Sequence, residues 1–226
     1  MQVKILQNIL GANENIARKN QDRLDRYGIL AINVMSSPGS GKTSLILQTI
    51  KHFKRKLGIA VIEGDTASSI DADKVQQKGV QVVQINTGFG GCHLEAHMIE
   101  NALNNLSLEN IGLLLIENVG NLICPAEFSL GEHKQIMLLS VPEGDDKPHK
   151  YPLIFTKADV VLVNKIDLLP YLTFNMTAFN QTVNGLNSKV KILPVSCQTG
   201  EGLKAWFSWL EDELAKRKSP GAKRKR

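Results

Sequence analysis

The sequence predicts an α/β fold: a mostly parallel β-sheet flanked by helices. Three observations predict it. From Ile29 onward, short apolar runs alternate with helical stretches. Those runs are continuous, as in strands buried on both faces, rather than alternating as in strands with one wet face. The first run leads into a glycine-rich turn that opens a helix. The 226 residues are 42% apolar and 22% charged, enough for one substantial core.

Residues 1–28 read as an N-terminal helical appendage. Ile5, Leu6, Ile9 and Leu10 fall at helical spacing, with an interruption at Gly11. Strands are expected over 29–35, 59–64, 80–86, 112–118, 135–141, 159–165 and 190–196. Helices are expected over 43–56, 70–78, 93–105, 171–187 and 202–217. One domain therefore spans 29–215. Residues 216–226 read as a basic, disordered tail containing Ser219, Pro220 and Gly221.

The net charge of +5 belongs to that tail. Seven of the 27 basic residues lie in the last eleven positions, leaving 20 against 22 acidic ones in the body. The body thus lacks the charge of a nucleic-acid-binding domain. Mean hydropathy is −0.12, and no apolar run approaches the ~18 residues of a membrane span. The opening residues show no secretory pattern. Three cysteines, Cys92, Cys124 and Cys197, are too few for a disulfide scaffold. A cytoplasmic protein is expected, with no membrane partner.

The segment SSPGSGKT, Ser36 to Thr43, follows the first strand and opens a helix. In such a P-loop, Ser37, Pro38, Gly39, Ser40 and Gly41 turn backbone amides toward phosphates, and the helix N-terminus adds partial positive charge. Lys42 reaches the β- and γ-phosphates, Thr43 holds Mg2+, and Ser44 completes the binding turn. NKID follows the strand DVVLV. Asp167 can accept both N1–H and the 2-amino group of guanine, while Asn164 and Lys165 brace the loop. SCQTGEG then presents Ser196, Cys197 and Gln198 where backbone amides meet guanine O6. These motifs, in this order, predict GTP and GDP rather than ATP as ligands.

Two strand ends supply carboxylates. Asp65 ends IAVIEGD, and Glu117 starts ENVG, whose Gly120 amide can meet the γ-phosphate. Lys42, Asp65 and Glu117 are the candidate catalytic residues, with Thr43, Asp65 and Glu117 as the Mg2+ set. Asp71 is a weaker candidate. No arginine finger is evident, so intrinsic hydrolysis should be slow.

Cys92 and His93 follow the glycine loop GFGG, and Cys124 lies shortly after ENVG. Thiolates with imidazole suit Ni2+ or Zn2+. His97 is added as a fourth candidate, being at i+4 from His93 in the expected helix. Three ligands from one chain leave an open position that a second copy could complete. His52 and His149 read as surface residues, and His133 as a distant candidate for the cluster. Competing readings are a non-catalytic, metal-dependent dimer and an RNA-binding regulator working through the tail.

Together SSPGSGKT, EGD, GGCHLEAH, ENVGNLICPAEFSLGE, EGDDKPHKYP, NKIDLLP and SCQTGEGL resemble the HypB hydrogenase-maturation GTPases, from about Ile29 to Leu210. The resemblance implies a SIMIBI-class fold, GTP hydrolysis and a GTP-dependent homodimer. It implies nickel delivery to the [NiFe] hydrogenase large subunit with a HypA-type metallochaperone. It places interface metal ligands at Cys92, His93 and Cys124, with His97 beside them. It also sends the basic segment around Lys147 and Lys150 across the dimer toward the partner's nucleotide. Some members carry an N-terminal CxxCGC nickel site or a histidine-rich stretch, and residues 1–28 contain neither Cys nor His. The CPH arrangement of urease-maturation relatives is also absent, since Cys124 is followed by Pro125 and Ala126.

Overall fold

Seven β-strands in a computed structural model form one sheet, ordered β3-β2-β4-β1-β5-β6-β7, with every neighbouring pair parallel. The described residues are 2–65, 70–88 and 91–218. The strands are β1 (Leu30–Ser36), β2 (Ile59–Asp65), β3 (Gln81–Asn86), β4 (Leu113–Glu117), β5 (Lys134–Ser140), β6 (Val160–Asn164) and β7 (Lys191–Pro194). Each expected strand is present.

Helix α1 spans Gln2–Tyr27, and α2 spans Lys42–Phe53. α3 spans Ile70–Gln76, and α4 spans Ala96–Leu103. Two short helices absent from the sequence reading follow, α5 (Lys147–Lys150) and α6 (Pro152–Lys157). α7 (Met176–Leu186) and α8 (Leu203–Lys218) complete the set. Residues 171–175 do not belong to α7, because Ile166–Tyr171 forms a 3-10 turn and the Asn175 side chain caps Ala178.

The period-2 pleat of β1 divides the core. Leu30, Ile32 and Val34 face a cluster with Leu45, Ile50 and Phe53 of α2 and Trp206 and Leu210 of α8. Ala31 and Met35 face the other side, where Leu24 of α1, Ile99 of α4, and Phe155 and Phe179 of α6 and α7 pack. Asn33, also on that second face, is fully buried. β1 sits centrally, with β4 and β5 on its two sides, so the order of the chain reverses there. In parallel sheets ligands bind beyond the carboxyl ends of the strands at such a reversal.

The N-terminal residues form one helix, unbroken at Gly11, where a Cβ would meet nothing. α1 is built into the domain rather than hung from it. Asn20 is 2% exposed, and its Nδ2 donates to Ala96 O (2.8 Å) and Leu130 O (3.1 Å). The basic end also departs from expectation. Lys216 to Lys218 extend α8, where Lys216 pairs with Glu213 and Arg217 with Asp25. Residues 219–226 of the expected tail lie outside the described residues.

Candidate nucleotide and metal site

The loop between β1 and α2 holds the expected phosphate-binding residues. Gly39 (φ 77°) and Gly41 (φ 102°) adopt left-handed backbone, and a Cβ on Gly41 would lie 2.5 Å from Asn164 Nδ2. Only glycine fits there. Lys42 is 9% exposed and its Nζ donates to Ser36 Oγ at 3.1 Å. Burial pulls its pKa below the ordinary lysine value, against the pull of Glu117 and Glu143. An anion in the loop would offset that burial.

Thr43 Oγ1 donates to Glu117 Oε1 at 2.9 Å, so two of the three expected Mg2+ holders are together. Glu63 stands opposite Glu117 in the β2–β4 register. Burial raises the Glu117 carboxyl to about 7 and that of Glu63 to about 8. The Oε2 atoms of both are buried without a hydrogen-bond partner. With Asp65, Asp71 and Gly120 these groups line a cavity of about 480 Å3 over the P-loop. Buried carboxylates with free oxygens beside a threonine hydroxyl fit a hard divalent cation such as Mg2+. The sequence reading missed Glu63; the signal for it was the carboxyl end of β2, where only Asp65 was picked out.

The NKID segment is braced by hydrogen bonds to the loop after β1 and to the turn at Cys197. Asn164 Nδ2 donates to Ser40 O (2.8 Å), its Oδ1 accepts from Cys197 N (3.1 Å), and Lys165 Nζ donates to Gly39 O (2.8 Å). Lys165 is the one non-glycine with positive φ, 62°, among the described residues. Asp167 Oδ1 is buried without a partner, as an acceptor awaiting guanine would be. The turn of Ser196 is closed by Thr199 N donating to Ser196 Oγ at 3.1 Å, and Gln198 is exposed. Ser37 is half-buried, while Pro38 in the loop and Ser44 in the first turn of α2 are exposed. Glu143, a second residue that sequence reasoning missed, ties this edge together. Its Oε1 accepts from Ser40 Oγ (2.7 Å) and Ser140 N (2.7 Å).

The metal candidates split. Cys92, His93 and Cys124 converge, with ligand atoms all within 4.8 Å of one another. Cys92 Sγ lies 3.0 Å from Cys124 Sγ, too far for a disulfide, and 3.6 Å from His93 Nδ1. A hydrogen bond with the neighbouring Cys92 sulfur raises the Cys124 thiol above its ordinary pKa, with burial and charge repulsion from Cys92 adding to it. A soft cation would relieve that repulsion, so the donor set fits Ni2+ or Zn2+. The His93 ring stacks on Phe128 (centroids 4.1 Å apart), and its Nε2 lies 3.6 Å from Glu95 Oε1.

His97 is not in the cluster. α4 begins at Ala96, so His93 precedes the helix and the i, i+4 relation never forms. His97 instead pairs with Glu95 at 3.3 Å and is half exposed. His133 is also elsewhere, bonded to Asp25 and Ala31. Lys147 and Lys150 both pair with Asp146 of their own chain. Cys197 is 8% exposed in the guanine loop, and burial pushes its thiol up to about 12.

Residues 30–194 match the family described as CobW/HypB/UreG, nucleotide-binding domain. The hydrogenase maturation factor HypB of Rhizobium leguminosarum bv. viciae is 47% identical over 215 residues, 95% of this chain and 72% of that protein. The chain belongs to the HypB family. A crystal structure of HypB from Helicobacter pylori in complex with nickel is 37% identical, with a TM-score of 0.86 over 91% of this chain and 96% of that one. The signal recognition particle receptor FtsY from Elizabethkingia anophelis, in complex with GDP, shares the fold alone. It is 15% identical, with a TM-score of 0.52 over 74% of this chain and 57% of that one. The fold of this HypB family member is thus that of a SIMIBI-class P-loop GTPase.

Proposed function

We propose that this chain hydrolyses GTP to assist nickel insertion into the large subunit of [NiFe] hydrogenase. In this reading it is a cytoplasmic metallochaperone that works with a HypA-type partner and dimerises with GTP. Nickel is its cargo, and Zn2+ is a competing occupant. The observation that carries the reading is the position of Cys124. It lies four residues beyond Gly120, on the segment that would close on the γ-phosphate, and it shares a ligand cluster with Cys92 and His93. The HypB structure in complex with nickel supports nickel as the cargo.

Phosphoryl transfer needs positioning and charge neutralisation more than covalent chemistry. Lys42 and the loop amides would hold the triphosphate, and Asp167 the base. Thr43 and Glu117, with Asp65 beside them, would hold Mg2+, which neutralises phosphate charge when bound. The cysteines and His93 would hold nickel with a vertex left open, and a second copy of the chain, meeting it at this face, would share the site. Ile123, 55% exposed beside Cys124, supplies apolar surface at that face.

The test is a Ni2+ and Zn2+ titration of wild type and Cys92→Ala, each with GDP and a non-hydrolysable GTP analogue, with light scattering on the same samples. The reading requires metal affinity and mass to differ between nucleotides in wild type, and metal binding to be lost in Cys92→Ala. GTP turnover should vanish in Lys42→Ala. Equal metal affinity in both nucleotide states, or turnover that survives Lys42→Ala, would overturn it.

A further inference from the structure

A buried amide side chain sits between the two halves of the site. Asn118 follows Glu117 directly, precedes Gly120 by two residues, and is 0% exposed. Its Oδ1 accepts from Val119 N at 2.9 Å and from Leu94 N at 3.2 Å. Leu94 is the residue after His93. The Asn118 Nδ2 donates to Asn33 Oδ1 at 3.2 Å, in the middle of β1. Asn33 Nδ2 in turn donates to Glu132 Oε1 (3.3 Å), whose Oε2 accepts from Leu130 N (2.8 Å). One side chain therefore ties the γ-phosphate segment to the metal loop and anchors both to the central strand.

A second contact points the same way. Leu94 is fully buried against Gly64, where a Cβ would lie 2.8 Å from three Leu94 carbons. Gly64 lies between Glu63 and Asp65 in the nucleotide cavity. The metal loop is thus gripped by the ends of both β2 and β4. Its far side is fixed. Asn13 Oδ1 accepts from Ala96 N (2.8 Å) and Asn20 Nδ2 donates to Ala96 O (2.8 Å), so α1 immobilises the start of α4. A displacement of residues 118–120 must then be taken up by residues 92–94 or leave the Leu94 amide buried and unpaired, which is costly.

We propose that Asn118 is the positioning residue through which the nucleotide pocket and the Cys92–His93–Cys124 cluster bias each other. This rests on the nucleotide–metal coupling in the function proposed above. Coupling between two sites is a ratio of affinities, and it is reciprocal. Loss of Asn118 as a merely structural residue would weaken both nucleotide states alike and leave that ratio unchanged.

The experiment measures Ni2+ affinity by chromophore competition on the full chain, wild type and Asn118→Ala, each with GDP and a non-hydrolysable GTP analogue. Wild type should show a ratio of at least about fivefold between nucleotides, and Asn118→Ala a ratio within about twofold of unity with Ni2+ still bound. A second arm needs no variant: hydrogen exchange at the Leu94 amide of wild type should differ between the two nucleotides. A ratio preserved in Asn118→Ala, or a Leu94 amide indifferent to nucleotide, overturns this inference and leaves the proposed function standing. A wild-type ratio of one removes both.

Discussion

Asp167 Oδ1 is a buried acceptor with nothing to accept from, in a turn held rigid by Asn164 and Lys165. Exchanging it for an amide reverses part of its polarity. Asp167→Asn presents an N–H toward guanine N1–H, while the carbonyl of xanthine at C2 would welcome it. The variant should lose at least about a hundredfold in GDP affinity and gain relative affinity for xanthosine diphosphate, read by competition against a fluorescent nucleotide. The NKID segment was legible in the sequence because its whole pattern sits in four consecutive residues. The P-loop was legible for the same reason. Glu63 and Glu143 were not, because their meaning comes from neighbours far off in the sequence: Glu117 for one, Ser40 for the other. His97 was misread by a matter of three positions. Its spacing from His93 has meaning only inside a helix, and the helix starts too late.

That late start has its cause in α1. No side chain near Glu95 caps α4; the cap of Ala96 N is Asn13, 83 positions earlier. Asn13 Nδ2 also donates to Ser129 O at 2.8 Å, and Asn20 bridges Ala96 O and Leu130 O. Each of Asn13→Ala and Asn20→Ala should destabilise the fold by about 1–3 kcal/mol, since both strand buried backbone groups. Urea unfolding should show a lower midpoint at an unchanged slope. Polar residues on an amphipathic pattern read naturally as a solvated face, which is why the helix looked like an appendage. The strands were easier, since a run such as VVLVN tolerates only a buried extended chain. α5 and α6 escaped notice because four and six residues beginning near Pro148 and Pro152 are too short to show a helical period.

The two ends of the fold meet at a clasp. His133 Nδ1 accepts from Ala31 N (2.9 Å), its Nε2 lies 3.1 Å from Asp25 Oδ1, and Arg217 of α8 pairs with the same carboxylate. Burial, aided by Arg217, lowers the His133 pKa from 6.5 to about 4. A proton therefore prefers the unfolded chain. The stability this histidine contributes is complete above pH 6.5 and is lost as pH falls toward 4. The melting temperature of wild type should drop more steeply from pH 7 to pH 5 than that of His133→Asn, by differential scanning calorimetry. Asp25, itself held below the ordinary carboxylate range, titrates beneath this window. The burial that keeps Cys197 protonated has a practical outcome as well. A colour-forming thiol reagent added to the native chain should count two sulfhydryls quickly and a third only after denaturant. Bound nickel should silence the fast pair alone, giving the chain its own stoichiometric gauge of metal occupancy without a single engineered label.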